Sequence, residues 1–197
     1  MTEVRSLKRS SHYQPYTHYV QITGEFRING KKLASIRAAE LLHLVSNNGK
    51  RVSRYVIENK LYGGYCSRSS IWYPLKICQK AGIDIHYNRQ AKTVVLTDDI
   101  QFDYDLAMDF LANEDLRSAI WVLNGWPLAN QSNSYSDLLL EQLKIQLESH
   151  TSDHYWSEVE EIFEALDHKH DRNRNRDARE PHYSRCFYLH RRPQHGD

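Results

Sequence analysis

Cysteine is scarce in this chain. Its 197 residues include three (Cys66, Cys78 and Cys186), widely spaced, odd in number and without a Cys-x-x-Cys pair. That spacing excludes a disulfide framework and predicts a protein of a reducing, cytoplasmic compartment. Long apolar runs are also missing. The stretch around Trp121 extends only from Ala119 to Leu123, far short of the ~20 residues a membrane helix needs, so no membrane partner is expected. Arg5, Lys8 and Arg9 are followed by no apolar segment, and no signal peptide is expected. No Gly-rich loop follows a strand, no G-x-S-x-G occurs, and no carboxylate pair is framed by a strand end. The sequence therefore carries no sign of an enzyme and implies no cofactor.

Net charge is the last thing in short supply, at +1 from 26 Lys+Arg against 25 Asp+Glu. The balance hides a division. Residues 1–97 hold 16 basic and 5 acidic residues, a net of +11, and residues 98–170 hold 3 and 16, a net of −13. Residues 171–197 return to +3, with seven arginines. A basic half joined to an acidic one is expected where one part meets phosphate and the other does not. The domain boundary is placed near residue 98. No Gly/Ser- or Pro-rich linker marks it, so the two parts are expected to pack together.

Residues 1–17 are polar and aperiodic and read as a mobile N-terminus. Tyr19 to Ile22 and Phe26 to Ile28 alternate in β fashion, and Asn29-Gly30 is a two-residue hairpin signal. Ser35 is placed to cap a helix with Ile36, Ala39, Leu42 and Val45 at helical spacing, ended by Asn47-Asn48-Gly49. A second helix starts at Ser53 and stops at Gly63-Gly64. A third follows Cys66-Ser67-Arg68, with Ile71, Leu75 and Cys78 on one face. Residues 83–87 and 93–96 then read as two strands around a polar tip. Strands, three helices and a terminal hairpin over residues 18–97 describe a winged helix-turn-helix.

In that arrangement the third helix enters a major groove of double-stranded DNA and the hairpin touches the backbone beside it. Arg68, Ser69, Trp72, Tyr73 and Lys76 fall nearest the bases, with Ser67, Gln79 and Lys80 on the same outward side. Lys50, Arg51, Ser53 and Arg54 at the second helix join Asn88, Arg89 and Lys92 at the wing as phosphate contacts. His86 on the wing reads as a surface residue or a further phosphate contact. One residue disagrees. Pro74 lies inside the third helix, so either the helix kinks there or it begins near Tyr73 with Pro74 in its first turn.

The acidic half, residues 98–168, reads as four helices over 102–111, 115–122, 137–147 and 152–166, an antiparallel layer suited to binding a partner or a second protomer. Trp121 and Trp126 are expected in its core, and Cys78 in the core of the basic half. Residues 169–197 form an Arg/His-rich tail. There His182, Cys186 and His190 are spaced i, i+4, i+8, but with no Cys-x-x-Cys pair they are read as a solvated tail and no metal site is assigned. The expected fold class is α+β, mostly α.

Thr23-Gly24-Glu25-Phe26-Arg27-Ile28-Asn29-Gly30-Lys31-Lys32-Leu33 resembles the short N-terminal sheet of response-regulator-type winged helices. With residues 38–44, Asn48-Gly49-Lys50-Arg51-Val52-Ser53 and Leu61-Tyr62, it is similar more specifically to antibiotic regulatory protein-type transcriptional regulators. Residues 67–85 also resemble the recognition helix and first wing strand of biotin-repressor-type winged helices. In the acidic half Phe102-Asp103-Tyr104-Asp105, Leu116-Arg117-Ser118-Ala119-Ile120-Trp121, Gly125-Trp126-Pro127-Leu128 and Tyr135-Ser136-Asp137 look like the opening of the bacterial transcriptional activator domain. The resemblance implies tetratricopeptide-like helical hairpins, a shortened activator domain, and self-association or contact with RNA polymerase. Against it, a protein-interaction adaptor would keep the winged helix without binding DNA, using the Trp72-Tyr73-Pro74 surface.

Overall fold

Asn29 (φ 49°) and Gly30 (φ 82°) both occupy the left-handed region, as a two-residue hairpin turn requires. They fold a strand β2 (Arg27–Ile28) onto β3 (Lys31–Lys32). Strand β1 (His18–Gln21) pairs antiparallel with β2, and the Asn29 side chain secures it by accepting the Tyr19 N–H at 2.9 Å. The computed structural model describes residues 16–128 and 134–149, with 161, 164 and 166–168. Most of residues 1–17, most of the expected fourth helix of the acidic half, and the whole tail with His182, Cys186 and His190 lie outside them.

Helix α1 (Ile36–Ser46) starts where Ser35 Oγ accepts the Ala38 N–H, and it buries Ala38, Ala39, Leu41, Leu42, Leu44 and Val45. Apolar side chains nearly all round a helix place it at the centre of the core. A short β4 (Arg51–Ser53) leads into α2 (Arg54–Tyr62), capped by Ser53 and closed by Gly63 at φ 69°. Helix α3 (Arg68–Lys80) is capped by Ser67 and buries Ile71, Leu75 and Cys78. Strands β5 (Ile85–Asn88) and β6 (Thr93–Leu96) form a hairpin with residues 89–92 at its tip, and β4 adds to β6 to give an antiparallel sheet in the order β4-β6-β5. The link at residues 48–53 is where sequence pattern and structure part. Its single inward apolar residue, Val52, becomes a strand residue only by lying opposite Val94.

Helix α3 starts at Arg68 and runs through Pro74, so it does not begin near Tyr73. Proline has no N–H to give the carbonyl four residues back, here that of Ser70. The Tyr62 hydroxyl supplies the missing donor, at 2.5 Å from the Ser70 oxygen. Burial raises the Tyr62 pKa, so the phenol stays protonated, and Arg37 lies over its ring at 5.1 Å. Tyr62→Phe is expected to lower unfolding free energy by about 1–2 kcal/mol, the cost of stranding a partly buried carbonyl. With Pro74→Ala the backbone regains its own donor, so denaturant unfolding of the double-mutant cycle should show a smaller cost for Tyr62→Phe.

Beyond residue 98 the chain first returns to the sheet of the basic half. Strand β7 (Ile100–Phe102) runs parallel to β1 with Val20 opposite Phe102, giving the order β3-β2-β1-β7. Phe102, expected in a helix, is therefore a strand residue, and α4 (Asp103–Ala112) begins one residue later. Asp115 caps α5 (Leu116–Val122), and α6 (Ser134–Ser149) follows. Polar ties fix this half to α1. Buried His43 on α1 meets the Tyr135 hydroxyl at 2.8 Å and Asp105 at 3.1 Å. Within the half, the Tyr104 hydroxyl donates to the Leu139 carbonyl at 3.1 Å. The described residues form an α+β fold richer in helix than in strand, and none of their helices is long and apolar enough to cross a membrane.

Trp121 corrects an expectation. It is 82% exposed, not in the core. Five apolar residues in a row cannot all face inward at 100° per residue. Ala119, Val122 and Leu123 take the buried face, and Trp121 points away. Trp126 is half-buried, its Nε1–H donating to Asp167 at 2.6 Å.

Candidate nucleic-acid interface

The start of α2, the first two turns of α3 and the tip of the β5–β6 hairpin enclose an open groove of about 860 Å³. Trp72 is its centre. Because Ile71 and Leu75 turn inward, position 72 comes out on the side of α3 that faces the hairpin, where Tyr87 lies 6.1 Å away ring to ring. The guanidinium of Arg68 sits over the indole at 5.5 Å and that of Arg89 at 5.9 Å. An arginine from the helix and one from the wing thus share a single aromatic anchor. Lys92 enters from the tip, where a left-handed backbone (φ 51°) lets its carbonyl accept the Arg54 N–H at 2.8 Å.

The expected contact residues divide by what their polar atoms already do. Arg68, Lys76, Arg89 and Lys92 are exposed and make no ion pair among the described residues. Ser67, Ser69, Tyr73 and Lys80 are exposed along the same helix, and Tyr73 is 66% exposed. Gln79 is exposed too, but its amide donates to the Ile85 carbonyl at 2.7 Å and ties α3 to the hairpin. Asn88 accepts the Ala91 N–H at 3.0 Å and closes the wing tip. Arg54 lines the groove while bonded to Glu58 at 2.8 Å and to the Cys66 carbonyl at 3.1 Å. Ser53 also lines it and caps α2.

Of the expected contact residues, Ser53, Arg54, Arg68, Trp72, Arg89 and Lys92 line the groove, whereas Ser67, Ser69, Tyr73, Lys76, Gln79, Lys80 and Asn88 do not, and Lys50 and Arg51 lie toward the other end of the sheet. Ser53 pairs with Thr93 beside the tip, whereas Arg51 pairs with Val95 further along, so Arg51 and Lys50 sit toward the opposite end of the sheet. Lys50 is bonded there to Asp99. His86 is exposed.

Two tyrosines of the groove escape a reading of α3 and the wing alone, Tyr55 and Tyr65; a third, Tyr87, lies on the wing strand β5. The signal for Tyr55 is its place on the polar side of α2, off the Val56, Ile57 and Leu61 pattern. Tyr65 lies in the loop before α3 and carries Arg54 over its ring at 6.0 Å. No reactive thiol accompanies them. Burial, then the neighbouring Glu58 carboxylate, raises the Cys66 pKa, and burial pushes the Cys78 thiol up to about 12. No group of three or more metal-ligating side chains occurs among the described residues.

Cations from separate elements and exposed aromatic rings thus share one open groove. Comparison of the chain with protein-family models, with curated proteins and with solved structures returned no match.

Proposed function

We propose that the protein is a sequence-specific transcriptional regulator that binds double-stranded DNA through residues 18–97, folded as a winged helix-turn-helix. Helix α3 lies in the major groove and the β5–β6 hairpin rests on the adjacent backbone. The observation that carries this reading is the meeting of Arg68, Arg89 and Lys92, from two elements and without ion pairs among the described residues, around Trp72. Tyr73 and Lys76, exposed on α3, take the base edges. The wing cations take phosphates. The division of charge along the chain and the resemblance to antibiotic regulatory protein-type regulators support the same assignment, in the cytoplasm and without a cofactor.

The helical half serves self-association or contact with RNA polymerase in this reading. Trp121, 82% exposed on α5, supports an interaction role, since a lone exposed indole has no use in that half's own core. Fluorescence anisotropy with random and selected duplexes tests the proposal. The logarithm of the association constant should fall with log[salt] by ~0.9 per neutralised phosphate. Arg89→Ala should weaken all duplexes alike, by about tenfold, whereas Lys76→Ala should also flatten the preference for the selected sequence by ~1–3 kcal/mol. No duplex binding at low salt would overturn the proposal. Salt-insensitive capture of a protein partner would then favour the adaptor reading, to which the exposed Tyr73 beside Pro74 lends support.

A further inference from the structure

An unbroken duplex does not account for the whole groove. A double helix presents base edges and phosphates to a helix and a wing, and for these Tyr73 and Lys76 with Arg68, Arg89 and Lys92 suffice. Yet the open side of the groove carries two tyrosine rings with little cover: Tyr55 is 73% exposed and Tyr65 is 87% exposed. They come from different elements, the polar side of α2 and the loop before α3, and both line the same groove as Trp72. Neither contributes to the core. Aromatic rings beside unpaired guanidinium groups are the chemistry that holds unstacked bases on a charged strand.

We infer that this groove receives unpaired nucleobases, so that the protein prefers duplex DNA carrying a short single-stranded stretch over fully paired duplex. The inference rests on the DNA-binding reading and adds a substrate class to it. Arg68, Arg89 and Lys92 hold the phosphates flanking the unpaired stretch, and one or two bases leave the stack to lie against Tyr65 and Tyr55. Trp72, with both guanidiniums over its ring, lines the same groove. Unstacking is least costly where the base has no partner, which is the source of the preference.

The experiment uses the full chain with three labelled DNAs of equal length: a fully paired duplex, the same duplex with a two-base bulge, and the single strand. The wild type should bind the bulged duplex about tenfold more tightly than the paired one, the gain of one stacked base. The double variant Tyr55→Ala/Tyr65→Ala should lose that preference, its affinity falling about tenfold more on the bulged duplex than on the paired one. Tyr55→Phe/Tyr65→Phe should retain the preference, because stacking needs the ring and not the hydroxyl. Equal wild-type affinity for paired and bulged duplex would overturn the inference while leaving the regulator reading intact. Equal loss on both DNAs in the alanine variant would overturn it too, by making the tyrosines ordinary backbone contacts. If no DNA is bound in any arm, the regulator reading itself fails.

Discussion

Reversing Arg68 and Arg89 together, as Arg68→Glu/Arg89→Glu, should lower affinity for duplex DNA by at least about two orders of magnitude. Each arginine lost from a nucleic-acid contact costs ~1–3 kcal/mol, and each glutamate adds repulsion from the phosphate it replaces a bond to. The salt slope should shrink by roughly 1.8 as two phosphates cease to be neutralised. The fold should tolerate the change. Both side chains are exposed, and their shared contact is with the half-buried Trp72 ring. At position 68 the substitution favours folding, because Arg68 opens α3, whose first turn holds no acidic residue, and a cation there opposes the helix dipole by ~0.3–1 kcal/mol. A variant that melts no earlier than the wild type yet no longer shifts DNA would separate the contact role of these arginines from any structural one. Unchanged binding would sink the assignment of the groove.

That α3 begins on an unfavourable cation illustrates what could be read in the chain. Asn29-Gly30, the caps Ser35, Ser53 and Asp115, and the Ile71, Leu75, Cys78 spacing act within a few residues, and each appears in the fold where its local chemistry puts it. Strands β4 and β7 have three residues each, too few to show a period, and exist because β6 and β1 offer them partners. Trp121 is not legible in its apolar run, because such a run has no face until a helix assigns one. The same holds for the groove. The outward residues of α3 follow from the spacing of its inward ones, but Tyr55 and Tyr65 join them only when α2 and its following loop pack against α3 and the hairpin. Polar partners far apart in the chain are the least legible of all, as Asp103 shows, with its hydrogen-bond donors some 80 positions away.

Asp103 gives the largest stability effect to be expected from one side chain. It is fully buried where β7 turns into α4, and one carboxylate oxygen accepts the Ile22 N–H at 2.7 Å and the Tyr104 N–H at 2.9 Å. The other accepts the Thr23 N–H at 3.1 Å and the Thr23 hydroxyl, which in turn accepts the Asn124 N–H at 3.0 Å. One carboxylate thus fastens the end of β1, the start of α4 and the segment after α5. Asp103→Ala strands three buried N–H groups and a hydroxyl, and should cost about 3–5 kcal/mol in denaturant unfolding. The charge itself opposes folding. Burial outweighs these hydrogen bonds and raises the carboxyl from 3.8 to about 6. Between those values the folded protein holds a proton that the unfolded chain has released, so the contribution of Asp103 to stability falls as pH rises from 4 to 6, by roughly 3 kcal/mol in all. Asp103→Asn cannot titrate. Its stability deficit against the wild type should therefore be greatest near pH 4 and narrow by that amount toward pH 7. A deficit that is constant or widens over that range would mean that the hydrogen bonds, not burial, govern the ionisation of Asp103.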